Sequence, residues 1–155
     1  MSFSSTKQRQ IMGCFATGVT LVTTRTDENI WAMTANAVLS LSLNPPRILV
    51  AVDRRNRMCE YMSRARCFAL NILTQEQEEI SNLFAKPGPK DFSDLELKEA
   101  KTGAPILNNS VAFLDCTVVE ILPGGDHDMF IGEPVAGEVR EGQPLLFFRG
   151  KYEKL

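Results

Sequence analysis

The chain is poor in the residues that build metal and disulfide sites: its 155 residues include four cysteines and one histidine. Cys14, Cys59, Cys67 and Cys116 form no C-x-x-C pair, which excludes tandem zinc sites, and a lone His127 excludes H-E-x-x-H. There is no G-x-G-x-x-G fingerprint, no G-x-x-x-x-G-K-[ST] loop and no G-x-S-x-G elbow, so the usual dinucleotide, triphosphate and serine-hydrolase sites are absent. No long apolar run exists either. The longest clean one is Ile48 to Val52, far short of a membrane span. Neither charge sign dominates: 17 basic against 19 acidic side chains give a formal charge of -2 and a pI near 5.5. That balance argues against nucleic acid or an anionic membrane surface as a partner. The opening residues Met1 to Gln8 contain no apolar signal core, so the expectation is a cytoplasmic protein with reduced thiols, although a disulfide between two of the four remains open. Asn108-Asn109-Ser110 matches a glycosylation acceptor, which without a secretory route reads as coincidence.

What is present suits one domain over residues 1–155, since 44% hydrophobic residues at this length bury a core without staples. Ser5 to Phe15 suits a short helix, and Thr17 to Thr26 reads as a Thr/Val-rich strand. Asp27-Glu28-Asn29 is a turn into a returning strand, Ile30 to Asn36. Val38 to Leu43 alternates apolar and polar residues until Asn44-Pro45-Pro46 stops it, and Arg47 to Asp53 reads as a buried strand. Asn56 to Ala65 carries Met58, Tyr61, Met62 and Ala65 on one helical side. Cys67 to Leu73 is another apolar strand. Thr74 and Gln77 form a capping-box pattern opening a helix to about Ala85, with Ile80, Leu83 and Phe84 inward. Lys86 to Pro105 reads as a long surface loop with a short helical piece. A hairpin of Val111 to Leu122 and Met129 to Val139 follows, turning at Pro123 to Asp126. Glu141 to Pro144 then turns the chain into a final strand, Leu145 to Phe148. Many strands, two or three helices and no regular strand–helix alternation favour a barrel-like α+β architecture, a β-barrel with peripheral helices.

Three segments stand out, each with a plainer alternative. Trp31-Ala32-Met33-Thr34-Ala35-Asn36-Ala37, followed by Ser40, combines small residues with hydroxyl and amide groups. It suits the edge of a flat heteroaromatic ring and a polyol, or is an ordinary strand and turn. Asp53-Arg54-Arg55-Asn56-Arg57 precedes a helix start, where guanidinium groups and N–H donors suit a phosphate; the alternative is a solvated connection. Gly124-Gly125-Asp126-His127-Asp128 carries the only histidine, or is a plain surface hairpin. Strand alternation disfavours a metal held by its three polar side chains, so no metal is expected.

In order and spacing these segments resemble the flavin reductase-like family, whose fold is the FMN-binding split barrel. Within it the likeness is to the small NAD(P)H:flavin oxidoreductase components of two-component flavin-dependent monooxygenases. The matching stretches are Phe15 to Thr20, Met33 to Ala37 with Ser40 to Pro46, Val52 to Arg55, Phe68 to Leu73, Leu83 to Ala85, Gly125 to His127 with Phe130 to Glu133, and Pro144 to Tyr152. The resemblance implies that Met33, Thr34, Ala35, Asn36, Ala37 and Ser40 hold the ring and ribityl chain of FMN or FAD. It assigns the phosphate end to Asp53, Arg54, Arg55 and Asn56, and closure over the flavin to Phe84 and Ala85. His127 falls on the nicotinamide side, with Arg149, Gly150, Lys151 and Tyr152 helping to hold NADH or NADPH. Ala32 stands where glycine is common, Asn56 where serine is common and Lys151 where arginine is common. A homodimer and an oxygenase receiving reduced flavin are implied as partners.

Hydride transfer needs alignment above all, with donor and acceptor atoms about 3–3.5 Å apart, which accounts for the missing acid–base constellation. His127 is the candidate catalytic residue, orienting the carboxamide or assisting flavin protonation. Two other functions stay open: an enzyme that keeps its flavin bound and reduces another acceptor such as ferric iron, and a non-catalytic flavin carrier or sensor.

Overall fold

Alternating apolar and polar residues dominate the chain, and they fold into strands. The computed structural model describes residues 2–27 and 29–155; the expected turn at Asp27-Glu28-Asn29 includes Glu28, which lies outside them. In chain order the elements are α1 (Ser5–Met12), β1 (Thr17–Gly18), β2 (Thr20–Thr26), β3 (Asn29–Ala35), β4 (Val38–Leu43), β5 (Pro46–Asp53), α2 (Met58–Ala65) and β6 (Cys67–Ile72). A 3-10 turn (Gln75–Gln77) leads into α3 (Glu78–Ala85). Then come β7 (Leu97–Glu99), β8 (Pro105–Leu107), β9 (Ala112–Gly124), β10 (His127–Val139), β11 (Leu146–Phe148) and β12 (Lys151–Glu153).

Seven strands form one sheet in the order β3-β2-β6-β9-β10-β5-β4, with antiparallel pairing throughout. Its two edge strands, β3 and β4, are consecutive in the chain and separated only by Asn36 and Ala37. The sheet therefore curls to bring its edges together at that link. No ladder joins β3 to β4 among the described residues, so the barrel is split rather than closed. A three-stranded sheet β1-β11-β12 and the ribbon β7-β8 complete the β structure.

The barrel interior is filled by Val22, Val50, Val52, Phe68 and Phe130, with Met58 and Met62 of α2 packed against them. Each such side chain contributes about 1.5–3 kcal/mol on burial. On its other face β2 presents Leu21 to a second cluster with Leu73, Phe84 of α3 and Leu145, which is why this strand is buried almost throughout. Gly132 of β10 admits no larger residue: an added Cβ would lie 2.6 Å from the Phe68 ring. Two buried polar side chains are fully used. Asn71 donates to the Leu21 carbonyl (3.0 Å) and accepts from Leu107 N (2.8 Å), and Asp115 accepts from Lys101 N (2.7 Å), Thr102 N (2.9 Å) and the Thr102 hydroxyl.

Several expectations need correction. β5 alternates instead of being buried on both faces: Ile48, Val50 and Val52 point inward while Leu49 is half-buried. Residues 86–105 contain no helix; the segment is irregular and ends in the β7–β8 ribbon. Leu83 is exposed because α3 turns only Ser81 and Phe84 fully inward, and α1 buries none of its residues. The expected strand from Thr17 to Thr26 breaks at Val19, and the C-terminal hairpin has a second arm, β12. The capping box is present, with Thr74 N donating to Gln77 Oε1 (2.9 Å), but it opens the 3-10 turn ahead of α3. No described helix is long and apolar enough to cross a membrane.

Candidate functional site

Where the split barrel meets the small C-terminal sheet, a cleft of about 180 Å³ opens between Val19, Thr34, Ala35, Asn36, Ser81, Ala85, Phe147 and Tyr152. Three of these residues, Thr34, Ala35 and Asn36, come from a segment singled out in the sequence, and two more, Ala85 and Tyr152, are ones that the family resemblance implies. They reach the cleft from β3 and its exit, the last residue of α3, and β12. Hydrogen bonds fix the walls. Thr34 Oγ1 donates to the Ser81 carbonyl (2.6 Å), Ser81 Oγ pairs with Tyr152 Oη (2.6 Å), and Asn36 Nδ2 donates to Thr17 Oγ1 (3.2 Å). Tyr152 also meets Phe147 edge-on, with ring centroids 5.5 Å apart. Phe84 lies buried behind Ala85, its ring 5.2 Å from that of Phe92.

A second cluster forms where β5 ends against the β9–β10 turn. Antiparallel register sets Asp53 opposite His127, and Arg54 N donates to the Asp126 carbonyl (3.0 Å). Arg54 Nε donates to Asp128 Oδ1 (2.9 Å), and Arg55 grips Asp53 through Nε (3.2 Å) and Nη2 (2.8 Å). These Arg55 hydrogen bonds hold the Asp53 carboxyl far below the usual carboxylate range. His127 Nδ1 lies 2.7 Å from Asp126 Oδ1, and this contact pulls the Asp126 carboxyl down as well. An Nδ1–H donated to Asp126 leaves Nε2 to accept in the neutral ring, or to donate once protonated. Asn56 Oδ1 accepts from Met58 N (2.9 Å) ahead of α2, and beneath the cluster the buried Cys59 thiol donates to the Val52 and Asp53 carbonyls (both 3.4 Å). Burial first, and then the Asp128 charge, pushes that thiol up from its ordinary value. The backbone connects the two places: Ala37, just past Asn36, accepts from Ala51 N (3.0 Å), and Ala51 stands two residues before Asp53.

The Flavin reductase like domain model matches residues 12–155, nearly the whole chain. The chain belongs to this family. It is 36% identical over 144 residues, 93% of this chain and 77% of the relative, to the reductase component of a 4-nitrophenol 4-monooxygenase/4-nitrocatechol 2-monooxygenase from Rhodococcus opacus. It is 35% identical over 150 residues, 95% of this chain and 84% of the relative, to an NADH-dependent flavin reductase from a Rhodococcus species. The structure of flavin reductase PheA2 in its native state superposes with a TM-score of 0.91 at 38% identity, covering 99% of each chain.

Within this flavin reductase-like domain the remaining site candidates fall as follows. Met33 turns its side chain into the barrel core, so only its backbone is available at the rim. Ser40 is exposed on the edge strand β4, in register with Ile48. Arg149 and Gly150 form the two-residue turn between β11 and β12, both with positive φ (50° and 77°), the conformation a tight twisted hairpin requires. Lys151 follows on β12 and is exposed. Neither Arg149 nor Lys151 has a carboxylate partner among the described residues, unlike Arg54 and Arg55. Arg57 lies over Trp31 and Tyr61, which stack at 3.8 Å, and is turned to those rings.

Sequence reasoning missed Ser81, Phe147 and the pairing role of Asp128. Ser81 had a signal: Gln77, Ser81 and Phe84 fall at i, i+4 and i+7, so a polar residue occupies the inward stripe. The cleft's chemistry fits a flavin, with apolar walls from Val19, Ala35, Ala85 and Phe147 and polar groups at its rim. Its volume of about 180 Å³ is below the roughly 300–1,000 Å³ of pockets that enclose such ligands, so the fit is to part of one.

Proposed function

We propose that this chain is an NADH:flavin oxidoreductase that reduces FMN or FAD and releases the reduced flavin to a separate oxygenase. The observation that carries the reading is the convergence of Thr34, Ala35 and Asn36 with Ala85 and Tyr152 on one cleft, from three separated segments of the chain. Membership of the flavin reductase-like family supports it. So do the reductase component named for a relative and the NADH dependence named for another.

In this reading the β3–β4 link and Ser40 hold the ring and ribityl chain, and the Asp53–Asn56 segment takes the phosphate end. His127, its Nδ1 fixed by Asp126, presents Nε2 to the nicotinamide carboxamide. Arg149 and Lys151, with no carboxylate partner among the described residues, meet the dinucleotide's phosphates. The bound nucleotides supply the hydride and its acceptor, and the protein's part is alignment and exclusion of water.

The working unit is a homodimer of single-domain subunits in the cytoplasm. Leu39, Leu41 and Leu43 are exposed on edge strand β4, and Ile11, Met12 and Phe15 are exposed around α1. Such apolar surface suits a second subunit, which would also enlarge the small cleft.

The test is NADH consumption by purified protein with and without added flavin. Colourless protein whose turnover depends on added FMN or FAD is the expected result. Firmly yellow protein reducing ferric salts, or yellow protein that leaves NADH untouched, overturns it.

A further inference from the structure

The Asp53–Asn56 segment offers a phosphate fewer open donors than its composition suggests, because its cations and N–H groups already have acceptors inside the protein. Arg55 is clamped on both carboxylate oxygens of Asp53, and Arg54 is held by Asp128 across the β5–β10 ladder. Arg55 N donates to Asp53 Oδ1 (2.8 Å), Arg54 N to the Asp126 carbonyl (3.0 Å) and Asn56 N to the Asp53 carbonyl (2.8 Å). With Asp126 included, three carboxylates face two guanidiniums and one imidazole. A phosphate arriving here reaches the N–H groups left over, at Arg54 Nη1 and Nη2 and Arg55 Nη1, and lies beside a carboxylate that already shares each guanidinium's charge.

We propose that Asp53 and Asp128 are affinity-determining residues: by holding Arg55 and Arg54 they weaken the grip on the flavin phosphate and keep the flavin exchangeable. The inference rests on the assignment of this segment to the phosphate end. The bidentate Arg55–Asp53 pair has the geometry that a guanidinium–phosphate pair would use, so there the two anions compete for the same donors, whereas Asp128 takes one donor of Arg54, Nε, and opposes a phosphate mainly by its charge. A resident cofactor is best served by arginines left open to it. A flavin that must leave after each reduction is better served by arginines with an alternative partner. The hairpin cations Arg149 and Lys151, which lack such partners among the described residues, are predicted to escape this competition.

The experiment titrates FMN and riboflavin, which share ring and ribityl chain and differ by the phosphate, into wild-type protein and the D53N, D128N and R55Q variants. D53N and D128N are expected to bind FMN about fivefold more tightly each, the scale of one charge pair near water's dielectric. Riboflavin affinity should stay unchanged, which also reports that the variants are folded. Having the two aspartates on different strands guards against one substitution disturbing its loop. FMN binding that is unchanged or weaker in both aspartate variants overturns the proposal, as does equal tightening of riboflavin. If R55Q leaves the preference for FMN over riboflavin intact, the phosphate assignment itself fails and the proposal falls with it. Absence of binding of either flavin to the wild-type protein overturns the proposed function as well.

Discussion

Ser81 Oγ and Tyr152 Oη lie 2.6 Å apart, joining helix α3 to the last strand of the chain across the cleft. Ser81 is fully buried, and its carbonyl also accepts from Thr34 Oγ1, so a single residue ties the helix to β12 and β3. Replacing Tyr152 by phenylalanine removes one hydroxyl and leaves the Ser81 hydroxyl without this partner. The expected cost is about 1–3 kcal/mol of stability in urea unfolding. A rise in KM for flavin should accompany it, because the hairpin wall of the cleft loosens. A variant with wild-type stability and flavin KM would show that the contact does not hold the cleft.

His127 is expected to act on the nicotinamide side. His127→Ala should lower kcat/KM for NADH by about tenfold, the worth of one well-placed hydrogen bond of about 1.4 kcal/mol, while flavin affinity changes little. Steady-state kinetics with each substrate varied in turn separates the two. Normal NADH turnover in the variant removes His127 from the mechanism.

Asp115 is a buried carboxylate that holds the residue 101–102 turn by three hydrogen bonds. Asp115→Ala orphans two backbone N–H groups and a hydroxyl, and should cost about 3 kcal/mol or more. Asp115→Asn keeps an acceptor and should cost less. Urea midpoints at constant m-value measure both. Equal stability of all three proteins would contradict the packing described for this turn.

The exposed leucines of β4 give a test of assembly. Introducing charge as L39E and L41E should convert a dimer into monomers in light scattering coupled to size exclusion, and weaken flavin binding if the partner completes the cleft. A wild-type protein that is monomeric at micromolar concentration would contradict the dimer.

The strands were legible because alternation is written locally, residue by residue, and the helix at Met58–Ala65 because its apolar residues repeat at helical spacing. Where the barrel splits was not legible in the residue pattern, although the family resemblance implied a split barrel. That β3 and β4 are the two edges of one sheet depends on five other strands pairing between them. The same holds at the site. Thr34 and Asn36 were marked by their own segment and Ala85 and Tyr152 by the family resemblance, but Ser81 looked like an ordinary helical residue until Tyr152 was placed beside it. The partners of Arg54 and Arg55 differ in the same way. Asp53 is a near neighbour, whereas Asp128 reaches Arg54 only through the register that sets His127 opposite Asp53. β12 went unread because a three-residue strand after an Arg-Gly turn carries almost no periodicity of its own.

The most direct test of the account is an anaerobic reaction of the purified protein with excess NADH and FMN, followed by ultrafiltration. Many turnovers per subunit are expected, with one reduced FMN recovered in the filtrate for each NADH oxidised. NADH left unoxidised in the presence of FMN, or reduced flavin retained with the protein, would contradict it.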